Sequence, residues 1–183
     1  DVAVFAQGPV GLMATAGARL QGAGRIFAIE TTPKRQDIAR QYGADVVIDF
    51  EEEDPIQVIR DHTAGVGVDA AIEALGTPET FAQCVEAVKP GGTVSNVGYH
   101  GRGDDVPIPR EEWGVGMAEK DITTALCPGG RLRLRRLLRL LEHGRVDPTH
   151  LTTHEFAFDE VDQAFELMES KDDGVIKPLV TFE

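Results

Sequence analysis

The chain has 183 residues, 42% of them apolar and 27% charged, an ordinary globular composition with room for one good core and a piece of a second domain. Its 18 basic residues against 31 acidic ones leave a net charge of −13, which disfavours nonspecific attraction to nucleic acid or an anionic membrane. No run approaches the roughly 18 apolar residues of a membrane span, and the opening residues do not read as a signal peptide. Cys84 and Cys127 are far apart and outside any C-x-x-C pair, so reduced thiols in a cytoplasmic protein without a structural zinc site are expected.

Val2 to Phe5 is a short apolar run with two β-branched positions, compatible with a buried parallel strand. A helix is predicted to start near Val10, because Leu12, Met13, Ala16 and Leu20 fall at helical spacing. The turn between them, Gly8-Pro9-Val10-Gly11, would aim free N–H groups and a positive helix end at a pyrophosphate. Gly8 lets a ligand approach the backbone, and Gly11 lets the helix lie close to the strand. The G-x-G-x-x-G fingerprint would put its first glycine where Ala6 stands, and a methyl group is tolerable there only if the turn keeps φ negative.

A second apolar run, Arg25-Ile26-Phe27-Ala28-Ile29-Glu30, ends in an acid 19 residues after Gly11, the distance a helix and a returning strand should consume. A carboxylate there can accept hydrogen bonds from both hydroxyls of an adenosine ribose. It would also repel a 2′-phosphate, by up to about 4 kcal/mol for like charges about 4 Å apart at an effective dielectric of about 20. NAD is therefore expected over NADP, although Lys34 and Arg35 stand near enough in sequence to accommodate a phosphate.

Further along, Pro33 to Tyr42 reads as a helix ended by Gly43, Val46 to Ile48 as a strand, Pro55 to Thr63 as a helix and Val68 to Ala74 as a strand. Thr77-Pro78-Glu79-Thr80 begins a helix with Phe81, Val85 and Val88 on one face, which Gly91-Gly92 is expected to stop; Thr93 to Val97 and Ile122 to Leu126 are the fifth and sixth strands. Such alternation predicts an α/β fold with a doubly wound parallel sheet, ligands lying beyond the strands' carboxyl ends. Those ends carry Gly8, Glu30, Ala74-Leu75-Gly76 and Val97-Gly98-Tyr99. After Gly130 the pattern changes to a helix over 131–142, an extended piece with Phe156 and Phe158, a helix over 159–168 and a last strand over 176–182.

The run Arg131 to Arg139 suggests nucleic acid, but Leu134, Leu137, Leu138 and Leu141 form one apolar face, so an amphipathic helix packed on the domain is expected, its arginines meeting acidic neighbours or another subunit. His150 and His154 are four apart, but Thr152 and Thr153 between them and the alternation of Phe156 and Phe158 argue against a shared helical face and a metal site. His100, after Tyr99 at a strand end, could approach cofactor or substrate.

Gly8-Pro9-Val10-Gly11-Leu12-Met13, Lys89-Pro90-Gly91-Gly92, Asn96 to Gly101, Glu112-Trp113-Gly114 and Leu126 to Arg131 together resemble the carboxyl-terminal part of a medium-chain, zinc-dependent alcohol dehydrogenase of the secondary-alcohol type. The resemblance covers essentially the whole chain. It implies a Rossmann-type six-stranded sheet over residues 1–126 and a segment, 127–183, returning to a catalytic domain that this chain lacks. It places the pyrophosphate turn on Gly8, Pro9, Val10 and Gly11, the ribose acid on Glu30, a helping cation on Arg35, and nicotinamide contacts on Ala74, Gly76, Val97, Gly98 and Tyr99. Leu126 and Cys127 resemble residues near the substrate pocket, Cys127 as a packing residue.

The resemblance implies a nicotinamide cofactor and an alcohol with its ketone or aldehyde as substrates; the NADP-using members of the secondary-alcohol group place small or basic residues around positions 30–32, so Glu30 sets this chain apart from them and keeps NAD as the expected cofactor. It also implies a dimer or tetramer. The zinc ligands and the proton relay belong to the missing amino-terminal domain, so no catalytic or metal-binding residue is expected in this chain, which beginning inside or beside a strand looks truncated. The alternatives are a noncatalytic NAD-binding module or an S-adenosylmethionine site, which also holds a ribose with an acid after the second strand.

Overall fold

A computed structural model describes residues 1–182. Four βα pairs open the chain: β1 (Val2–Phe5), α1 (Pro9–Leu20), β2 (Ile26–Ile29), α2 (Pro33–Gln41), β3 (Val46–Ile48), α3 (Pro55–His62), β4 (Val68–Glu73) and α4 (Pro78–Ala87). With β5 (Val88–Asn96) and β6 (Asp121–Thr124) they make a parallel sheet in the order β3-β2-β1-β4-β5-β6. This is the Rossmann order, and its reversal between β1 and β4 opens a crevice at the strands' carboxyl ends.

Proline at the first turn starts each of the four helices, since its fixed φ suits that position and its missing N–H would have no helical partner anyway. Asp54 and Thr77 add side-chain caps, accepting from the N–H of Ile56 and of Thr80. The central strands are buried on both faces. Ala3, Phe5, Phe27 and Ile29 face Ile56, Ile59, Phe81 and Val85 of α3 and α4, whereas Ala28 packs with Leu12, Ala16, Ile38 and Ala39 of α1 and α2. Each fully buried Phe or Ile contributes about 1.5–3 kcal/mol, and Phe5, Phe27, Ile48 and Ile59 are all fully enclosed.

The remainder comprises α5 (Arg131–Glu142), β7 (Thr152–Ala157), α6 (Val161–Ser170) and β8 (Lys177–Thr181), with β7 and β8 paired in parallel. It is tied to the first layer. Ile176 is buried in the cluster with Leu12, Ile38 and Tyr42, the Tyr42 hydroxyl donates to the Asp147 carbonyl at 2.7 Å, and Arg35 donates to the Val175 carbonyl at 2.8 Å.

Several local expectations fail for identifiable reasons. Ala6 sits at φ +70, not at negative φ. Helix α4 stops at Ala87, because Val88 already pairs with Val68 as part of β5; the Gly91-Gly92 pair lies inside that strand, not at a helix end. Phe158 leaves the extended run for a 3₁₀ turn, and β6 ends at Thr124, which puts Leu126 outside the sheet. Helix α5 has the predicted bounds but no buried residue: Leu134 and Leu138 are exposed, only Leu137, Leu140 and Leu141 approach Met13, Ala16 and Leu20 of α1, and among the described residues none of its arginines forms an ion pair.

Candidate functional site

The site is built from the loops that follow β1, β2, β4 and β5, at the carboxyl ends of the strands. After β1, the chain turns through Ala6 and Gln7 to Gly8, the N-cap of α1, which offers no capping side chain. Pro9 has no N–H, and the N–H groups of Val10 and Gly11 come too early in the helix for an intrahelical acceptor. The positive end of the helix lies at these groups, with Val10 exposed and Gly11 buried against the turn. Space at Gly8 is open, with no atom within 4 Å of where a Cβ would be. Gly11 is the opposite case: a Cβ would fall 1.8 Å from the Ala6 carbonyl oxygen, so only glycine lets α1 approach the turn.

Glu30 follows β2 and is 6% exposed. Its Oε2 accepts from the Gln7 N–H at 3.0 Å, and its Oε1 accepts from the N–H groups of Thr31 and Thr32, each at 3.1 Å. One hydrogen bond thus joins the glycine turn to the acid. Arg35 stands 3.7 Å from Glu30 Oε2 and donates to the Val175 carbonyl, leaving its buried Nε without a partner among the described residues. Its guanidinium is held between the acid and the carboxyl-terminal segment.

On the other side of the crevice, Ala74 donates its N–H to the Phe5 carbonyl at 3.1 Å, and its Cβ lies 3.6 Å from the position of a Cβ on Gly11. Val97 and Gly98 donate their N–H groups to the Glu73 carbonyl at 2.9 and 3.0 Å, and Gly76 lies against Tyr99. Gly8 to Gly11, Glu30, Arg35, Ala74, Gly76 and Val97 to Tyr99 therefore lie on the side of the sheet where the strands' carboxyl ends emerge. Leu126, 94% exposed, and the exposed thiol of Cys127 stand beyond β6, away from packed neighbours. His100 turns inward, its Nε2 2.8 Å from Asn96 Oδ1 and 3.5 Å from Glu73 Oε2.

Two features escaped sequence reasoning. Gln7 is fully buried, its amide donating to the Val4 carbonyl and accepting from the Thr15 hydroxyl at 2.9 Å, which pins the turn to α1. Glu73 is fully buried as well; an acid closing the run Val68-Asp69-Ala70-Ala71-Ile72 was the available signal.

The chemistry on offer is recognition. The turn offers a positive helix end beside the open space at Gly8, a setting that suits an anion, and Glu30 Oε2 keeps a lone pair beyond its bond from Gln7 for a further donor. Among the described residues no three His, Cys, Asp or Glu side chains converge as metal ligands, with His150 in a 3₁₀ turn and His154 on β7. A separate cleft beside Arg19, Arg40 and Tyr42 lies at the carboxyl ends of α1 and α2, where helix carbonyls disfavour phosphate.

Comparison with known proteins decides the family, since residues 9–143 match the family described as zinc-binding dehydrogenase. The chain belongs to the zinc-binding dehydrogenases. It is 51% identical over 180 residues to the NADP-dependent isopropanol dehydrogenase of Thermoanaerobacter brockii, covering 98% of this chain and 51% of that protein. It is 49% identical to an alcohol dehydrogenase of Cupriavidus necator, covering 96% and 48%. Among solved structures, the alcohol dehydrogenase TADH from Thermus sp. ATN1 superposes with a TM-score of 0.86 at 33% identity, over all of this chain and 51% of that one. This zinc-binding dehydrogenase chain spans about half the length of the curated relatives it matches.

Proposed function

We propose that this chain is the cofactor-binding part of an NAD-dependent oxidoreductase that moves hydride between an alcohol and NAD. Residues 1–126 form the dinucleotide domain and 127–183 the segment returning to a catalytic domain. Zinc would assist in the full-length protein from ligands outside this chain, and no step through the metal follows from the residues present here. The bound nicotinamide supplies the hydride acceptor. The chain's own groups bind and orient it: the N–H groups of Val10 and Gly11 take the pyrophosphate, Glu30 the adenosine ribose, and the loops at Ala74–Gly76 and Val97–Tyr99 flank the nicotinamide half. Leu126 and Cys127 would border the substrate once the catalytic domain covers them. Family membership supports this reading over an S-adenosylmethionine site.

The observation that carries it is Glu30, held between the glycine turn and the N–H groups of Thr31 and Thr32. Its preference for NAD departs from the relative of Thermoanaerobacter brockii, which is named NADP-dependent. A carboxylate already fills the N–H groups that a 2′-phosphate would use, and the nearby Arg35 is engaged by Glu30 and Val175. Titration with NADH and NADPH should show NADH tighter by at least about tenfold, which corresponds to about 1.4 kcal/mol. Glu30→Ser, which frees those N–H groups, should abolish the preference. Wild-type protein binding NADPH as tightly as NADH would overturn the NAD assignment.

A further inference from the structure

Two acids are buried at the strand ends, and the dinucleotide reading uses only Glu30. Glu73, the last residue of β4, is fully buried. Its Oε1 accepts from the N–H groups of Leu75 at 2.9 Å and Gly76 at 2.8 Å and from the Thr80 hydroxyl at 2.7 Å. Its Oε2 has no hydrogen-bond partner among the described residues, yet it faces His100 Nε2 at 3.5 Å. A desolvated carboxylate oxygen is costly unless a proton or a cation answers it. Among the described residues His100 is the only ion-pairing partner of Glu73.

The imidazole's proton can be placed from its neighbours. Asn96 Nδ2 donates to the Gly98 carbonyl at 3.2 Å, which turns Asn96 Oδ1 toward His100 Nε2 at 2.8 Å. An acceptor at that place requires a proton on Nε2. The Nε2–H is therefore donated to Asn96 Oδ1 while Glu73 Oε2 lies 3.5 Å from the same nitrogen, and Nδ1 is buried without a partner among the described residues. From α4, Phe81 meets the imidazole edge-on with ring centroids 6.0 Å apart. The thiol of Cys84, also on α4, is pushed up by burial and then by the Glu73 charge, so it stays a neutral neighbour.

This cluster lies directly under the two loops that would flank the nicotinamide. A Cβ on Gly98 would fall 2.1 Å from Glu73 Oε2, and one on Gly76 would fall 2.3 Å from the Tyr99 carbonyl oxygen. The loops rest on one another only because both positions are glycine. Glu73 immediately precedes Ala74 and His100 immediately follows Tyr99, so a contact between them joins the root of one loop to the end of the other.

We propose that Glu73 and His100 are a positioning pair that clamps the Val97–Tyr99 loop onto the Ala74–Gly76 loop and so shapes the surface for the nicotinamide half of the dinucleotide. The proposal rests on the dinucleotide reading, and the pair acts through the loop backbones without touching the ligand.

The test sets NADH against ADP-ribose, which keeps the adenosine and both phosphates but lacks nicotinamide, by calorimetry on the full chain. Wild type is expected to bind NADH more tightly than ADP-ribose. His100→Phe should leave ADP-ribose within about twofold and weaken NADH by about tenfold, the scale of one buried hydrogen bond lost. His100→Gln, which retains an N–H for Asn96, should recover most of the loss. Equal weakening of both ligands, or of neither, overturns the proposal. If His100→Phe fails to fold, wild-type NMR decides: the His100 imidazole resonances should move with saturating NADH and stay with ADP-ribose, and a His100 signal indifferent to bound NADH overturns the pair. Failure of wild type to bind either ligand is a different result, which removes the dinucleotide reading and the pair with it.

Discussion

Ala6 holds φ +70, a conformation that costs an L-residue on the order of 1–2 kcal/mol, and the surroundings enforce it. Its carbonyl is wedged against Gly11, and Gln7 beyond it is anchored to Val4, Thr15 and Glu30. Gly11→Ala pushes a methyl group into backbone that has nowhere to retreat. It should destabilise the chain by about 1–3 kcal/mol in urea unfolding and lower NADH affinity with it, because α1 must move away from the turn. Asp69 offers a pH-dependent case. Lys89 donates to its carboxylate and holds it below the ordinary 3.8. A depressed carboxylate adds stability that is complete above the ordinary value and disappears as pH falls toward the depressed one. The side chain is more than half exposed, so the contribution should stay below about 1 kcal/mol and shrink further in high salt. Urea midpoints of wild type and Asp69→Asn should diverge above pH 4 and merge near pH 2.

Elements with strong local signals appear where periodicity puts them, and those without do not. Helices α1 to α4 carry proline at their first turn, and each starts within a residue of its expected position. The end of α4 was harder to read, because Val88 has the hydrophobicity of the helix face but pairs with Val68 on the neighbouring strand. Strand pairing overrides helical spacing there. The tail shows the same limit: Ile176 reads as the start of a strand, yet it precedes β8 and fills the cluster between α1 and α2. Ile176→Ala should cost about 2–5 kcal/mol, as for a fully buried aliphatic side chain, and the loss should appear in the same cooperative unfolding transition as that of the sheet. A separate early transition confined to the tail would show that residues 127–183 are not coupled to the first layer.

At the scale of the whole molecule, much apolar surface stays uncovered. Leu126, Phe182 and Met117 are each at least 80% exposed, Phe165 is 71% exposed, and the leucine face of α5 leans only partly on α1. Contiguous apolar exposure, as along the leucines of α5, marks contact surfaces. The isolated chain should therefore self-associate in light scattering and bind an apolar-surface dye; a clean monomer without dye binding would show that this surface needs no cover.

The α/β alternation, the parallel sheet, the tight turn before α1 and an acid directly after β2 were legible in the sequence, because each depends on residues close in the chain and on backbone rules of short range. The exposure of α5 was not, since amphipathic periodicity says that a face is apolar and not what covers it. The burial of Gln7 and the meeting of Glu73 with His100, 27 residues apart, were decided only by tertiary structure. Those contacts depend on where separate strands end relative to one another, and strand order and register are set by packing across the whole sheet.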